Sequence, residues 1–129
     1  MAEDVYPIKF DHSIGRAFVT ITGEINAAKI SNTFLAISIN ESWLAGDRSV
    51  LWQLENAFLP ESFEFSDIFK TTQISKIFSK PGKSAFVLEK NSEMQKRVAN
   101  FYKSLATTAS DRKTELFFSK KDAILWLDS

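Results

Sequence analysis

The 129-residue chain contains no cysteine, which excludes disulfides, thiolate catalysis and cysteine-ligated metals. The absence fits a reducing compartment. A single histidine, His12, cannot assemble a histidine-rich metal centre. With only four glycines and three prolines, the chain has no glycine-rich loop to cradle a phosphate and no low-complexity linker. No apolar run approaches the roughly 18 residues that a membrane span requires. The opening Met1-Ala2-Glu3-Asp4 is acidic and lacks a following apolar block, so no signal peptide is expected and the expected location is cytoplasmic. An excess of charge is missing too. Sixteen Lys and Arg balance sixteen Asp and Glu, so nothing global draws the chain to nucleic acid.

What is present suits one α/β domain spanning residues 1–129. Hydrophobic residues make up 44% and charged residues 25%, the proportions of a globular chain long enough to bury its own core. The charge is unevenly placed. Residues 1–69 carry four Lys and Arg against ten Asp and Glu, giving −6, and residues 70–129 carry twelve against six, giving +6. If folding interleaves the halves, these charges only solvate helix faces. If it does not, they make a dipolar surface, compatible with a homodimer.

Alternating and helical apolar periods mark the elements. Residues 5–10 read as a first strand, placed at a sheet edge by Pro7, and Arg16–Thr22 as a second. The short turn between them predicts an antiparallel hairpin. Ala27, Ile30, Phe34 and Ile37 form one helical face behind a candidate cap, Asn26. Asn40–Arg48 reads as a polar connection carrying Trp43, and Ser49–Leu54 as a buried parallel strand. Glu55–Phe65 reads as a long loop, followed by a helix from Ser66 to Ser79. Lys83–Glu89 is a fourth strand. Met94, Val98, Phe101, Tyr102 and Leu105 give the clearest amphipathic stripe, behind Asn91 or Ser92. Thr114–Phe118 closes the sheet, and a last helix opens at Ser119. With right-handed crossovers, the expected architecture is a five-stranded mixed sheet. It has an antiparallel edge hairpin, the remaining strands mostly parallel, and about four helices.

This order of elements resembles the STAS superfamily, and more closely its bacterial SpoIIAA-like branch. Val19–Glu24 (VTITGE) is similar to the family's second strand and its Gly-Glu ending. Val50–Leu54 (VLWQL) is similar to its third strand, and Ala85–Leu88 sits where the fourth belongs. Phe118 with Asp122, Ala123, Trp126 and Leu127 looks like the family's closing strand and helix. The resemblance implies a SpoIIAA-like fold and a binding or regulatory role without catalysis. The chain departs from the pattern at Gln53, where the family favours aspartate. It departs again at Arg97 and Asn100, which hold the places of a glycine and an arginine. The Asp-Ser-x-Gly of phosphorylated antagonists is missing, Ser62 and Ser66 being the nearest serines.

The most unusual segment is residues 57–65. Phe58, Leu59, Phe63 and Phe65, with Phe69 beyond, crowd a connection at the carboxyl edge of the sheet, where α/β proteins tend to bind ligands. Clustered exposed aromatics mark contact surfaces, so this lip is the candidate partner- or ligand-binding site. Rings folded back onto the core would explain the same residues. Ser66 at a helix start, and Ser62 before it, are candidate phosphorylation positions, although a capping role accounts for Ser66 equally. Glu55, Glu61, Glu64 and Asp67 form an acidic cluster that reads as a solvated rim, and His12 reads as a solvated turn residue. No nucleophile–base pair, cofactor site or metal site is nominated. The expected function is a cytoplasmic, non-enzymatic module acting through an unknown protein partner. The alternative is a carrier or sensor of a lipid or other apolar ligand held between helices and sheet.

Overall fold

The computed structural model describes residues 5–61, 81–109 and 112–129. Strand β1 (Ile8–Asp11) turns tightly into β2 (Arg16–Glu24), and the two pair antiparallel. Pro7 stands just before β1, so the strand begins later than its apolar pattern suggests. Helix α1 (Ala27–Ser38) starts where Asn26 Oδ1 accepts the Lys29 N–H at 2.9 Å. It buries Ile30, Phe34 and Ile37 on one stripe, as the spacing predicts.

The connection expected over residues 40–48 contains a short helix, α2 (Glu41–Ala45), nucleated by Asn40 Oδ1 accepting the Trp43 N–H at 3.0 Å. Trp43 is fully buried and donates its indole N–H to the Ser49 carbonyl at 3.1 Å. A polar-looking connection thus carries one of the largest core side chains. β3 (Ser49–Phe58) runs four residues past its expected end at Leu54. β4 (Lys83–Val87), α3 (Glu93–Ala109), β5 (Lys113–Phe117) and α4 (Lys120–Leu127) complete the described elements. Ser92 Oγ accepts the Gln95 N–H at 3.2 Å, and so decides between the two candidate caps of α3. Ser119 Oγ caps α4 in the same way, on the Asp122 N–H at 3.1 Å.

The protein is α/β, with a five-stranded mixed sheet in the order β1-β2-β3-β4-β5. Only β1 is antiparallel, and the described residues form four helices. They are not the expected four: α2 was unforeseen, and the segment expected as a helix from Ser66 lies outside the described residues. Sequential order with right-handed crossovers places α1 and α3 on one face. There the main core gathers Val19, Ile21, Trp52, Leu54, Phe86 and Val98 with Phe34 and Ile37. Trp52 is its centre. Its ring centroid lies 5.1 Å from that of Phe34 and 6.0 Å from that of Phe86, the latter nearly parallel at 11°. On the other face α4 covers Leu51, Ala85 and Val87 with Ala123 and Leu127.

Two buried arginines hold the amino ends of the strands. Arg16 is 3% exposed. It donates to Ser49 Oγ at 2.8 Å and pairs with Asp47 at 3.3 Å and Asp128 at 3.0 Å. Arg112 donates to Ser84 Oγ and to the Arg48 and Lys83 carbonyls. Such partners are what make a buried cation tolerable. Because strand order follows sequence order, the strands of the acidic half and of the basic half stand side by side rather than interleaved.

Candidate functional site

The carboxyl edge of the sheet is shaped by a bulge. β2 and β3 stay in register from Arg16↔Ser49 to Thr22↔Glu55, then resume at Gly23↔Ala57 with one residue extra on β3. That residue is Asn56, at φ +50°, a conformation asparagine tolerates better than most side chains. In an unbroken strand, Trp52, Leu54, Asn56 and Phe58 would all face the main core. The bulge inverts the alternation. Ala57 turns inward to 4% exposure and Phe58 turns outward to 51%.

A hydrogen-bonded clasp holds this geometry. Gln95, on the first turn of α3, is fully buried. Its Oε1 accepts the Glu89 N–H at 2.8 Å, and its Nε2 donates to Glu89 Oε1 at 2.6 Å and to the Ala57 carbonyl at 3.3 Å. Glu89 Oε1 also accepts the Asn56 N–H at 3.0 Å. The bulge, the end of β4 and the start of α3 are therefore one unit. Gln95 was not legible as a site residue, since it reads as an ordinary polar position between Met94 and Lys96.

Of the residues nominated on the lip, Phe58 belongs to the end of β3 rather than to a loop, which corrects the expected loop over 55–65. The strand continues because its pairing with β2 survives the bulge: the Ile25 N–H still donates to the Phe58 carbonyl at 2.8 Å. Leu59 is half-buried against the main core, so it folds back while Phe58 does not. Ser62, Phe63, Phe65, Ser66 and Phe69 lie outside the described residues, as do Glu64 and Asp67. At the end of β5, Phe118 is 48% exposed, with Lys96 Nζ 5.7 Å from its ring centroid. Sequence reasoning placed Phe118 in the closing strand and did not nominate it for the edge.

Elsewhere, His12 is exposed in the hairpin turn, as expected, but it is engaged. Its Nδ1 lies 2.7 Å from Ser42 Oγ, and its ring stacks on Phe10. Asp11 Oδ1 accepts the Ser13 hydroxyl at 2.6 Å and the Ser13 N–H at 3.1 Å. These bonds, with a smaller contribution from the Arg16 charge, hold its carboxyl below the ordinary aspartate value. Among the described residues no group of three or more His, Asp or Glu is placed to hold a metal, and no helix is long and apolar enough to cross a membrane.

The second face of the sheet is only partly covered. α4 spans eight residues and lies over β3, β4 and β5; among the described residues no other helix covers β1, β2 or the near side of β3. An open groove of about 540 Å³ results, with Lys9, Phe18, Thr20, Leu51, Gln53 and Lys120 on its walls.

Comparison with known protein families, with characterised proteins and with solved structures found no match to this chain.

Proposed function

We propose that the chain is a non-enzymatic, cytoplasmic binding module of the STAS-like, SpoIIAA-like type, acting through protein–protein contact at the carboxyl edge of its sheet. The observation that carries this reading is the outward rotation of Phe58. A buried glutamine, a carboxylate and a left-handed asparagine cooperate in a bulge that exposes an aromatic ring at the edge where α/β proteins tend to bind. Bulges re-aim side chains in this manner next to functional sites, and aromatic anchors dominate contact energies. Phe118 adds a second half-exposed ring on the same edge. The hairpin, the parallel strands that follow it and the closing strand–helix unit agree with the element order on which the family resemblance rests.

The alternative reading, an apolar ligand between helices and sheet, needs room in the main core. There Trp52 packs between Phe34 and Phe86, so the described residues favour the contact module.

A photo-crosslinking amino acid placed at Phe58, with the exposed helix position Leu125 as control, tests the proposal in cells that express the protein naturally. A discrete adduct from position 58 and none from position 125 is expected. Identical adducts from both, or none from 58, would reject it. Phe58→Ser is expected to leave stability within about 0.5 kcal/mol, whereas unfolding by that change would make the ring a core residue.

A further inference from the structure

We propose that the open half of the second sheet face is a binding site for a small amphipathic organic anion, one phosphate or carboxylate on an apolar body. The register places the relevant groups side by side. Lys9 stands directly opposite Phe18 across the hairpin, Phe18 opposite Leu51, and Thr20 opposite Gln53. Alternation puts all five of these positions on the face away from α1 and α3. Lys120, at the start of α4, closes the far bank, with its Nζ 5.5 Å from the Phe18 ring centroid.

The charges of this groove are not spent internally. Three lysines of the basic half are engaged elsewhere. Lys96 pairs with Glu93, Lys103 pairs with Glu115, and Lys83 donates to the Trp126 and Ser129 carbonyls. Among the described residues Lys9 and Lys120 have no carboxylate partner, and the Thr20 hydroxyl and Gln53 amide have no hydrogen-bond partner. One carboxylate, Asp11, stands on the lining, and it is already bonded to Ser13 and close to Arg16. The groove therefore offers two ammonium groups, a hydroxyl and an amide above a floor of Phe18 and Leu51. That combination complements an anionic head on an apolar or aromatic body. A volume of about 540 Å³ is of the size that holds a small molecule rather than a folded partner. The site lies on the sheet face, not at the Phe58 edge, so the two proposals stand or fall separately.

The test is an amide NMR titration of the whole protein with phenyl phosphate, with inorganic phosphate titrated in parallel. Saturable shifts confined to Lys9, Phe18, Thr20, Gln53 and Lys120 are expected. Lys9→Gln and Lys120→Gln, both at exposed positions, should each weaken the affinity about threefold to tenfold while leaving the rest of the spectrum unchanged. Phe58→Ser should not alter the titration. No saturation, shifts elsewhere, or affinity unchanged in both lysine variants would overturn the proposal. So would an equal response to inorganic phosphate, which would mean adventitious ion binding only.

Discussion

Two glycines with the same backbone angle show how differently a single residue can matter. Gly15 and Gly23 both sit at φ +73°, a region that costs an L side chain about 1–2 kcal/mol. A Cβ on Gly23 would meet nothing within 4 Å. A Cβ on Gly15 would lie 2.6 Å from Gly46 Cα and 2.7 Å from the Ser42 carbonyl oxygen. There the hairpin turn and the α2–β3 connection touch backbone to backbone, joined by Asp47 N–H to the Ile14 carbonyl at 2.7 Å and Arg48 N–H to the Gly15 carbonyl at 3.1 Å. Gly23→Ala should therefore cost about 1 kcal/mol. Gly15→Ala should cost about 2–4 kcal/mol, since overpacking adds to strain. Urea unfolding of both variants checks the difference, and equal losses would mean that the close approach relaxes freely.

Among the elements, α3 and the end of β3 are coupled through one side chain. Gln95 satisfies the Glu89 N–H and the Ala57 carbonyl and positions the carboxylate that holds the Asn56 N–H. Gln95→Leu keeps much of the volume, removes the three bonds of the side-chain amide and leaves the Glu89 carboxylate without its anchor. It leaves buried backbone groups unpaired, at about 1–3 kcal/mol for each group stranded. Hydrogen exchange should quicken at Asn56 and Glu89 while the centre of β4 stays protected. Uniform acceleration through the sheet would show that the clasp is not a local unit. The same element explains why a lip nominated from its phenylalanines resolves into two different residues. Leu59 packs inward and Phe58 points out, and a bulge whose partners lie 33 residues away along the chain leaves no local mark in the sequence.

For the whole molecule, the core is organised around Trp52 on the central strand of the sheet. With both neighbouring rings against it, Trp52→Ala should cost about 3–5 kcal/mol. That is a large part of the roughly 5–15 kcal/mol that stabilises a domain of this kind. A thermal melt should show the loss as a large drop in midpoint. A small shift would mean that Phe34 and Phe86 collapse into the space. The other face is built differently. Among the described residues one short helix covers half of it, pinned at its far end by Arg16 to Asp128 and by Lys83 to the last carbonyls. The uncovered half is the groove to which an anion is assigned.

The sequence by itself determined the elements whose signals are local. The Asn26 and Ser119 caps, the period of α1, the antiparallel hairpin and the apolar parallel strands each follow from side-chain chemistry within a few residues. Together they specify a five-stranded mixed α/β sheet. Tertiary structure alone decided the rest. It buried Trp43 within a polar connection, placed the buried arginines among distant carbonyls and carboxylates, and kept the strands of the acidic and basic halves from interleaving. It also inverted the alternation at Asn56 so that Phe58 faces outward. Each of these outcomes depends on partners tens of residues away, and burial, register and exposure are properties of contacts rather than of composition.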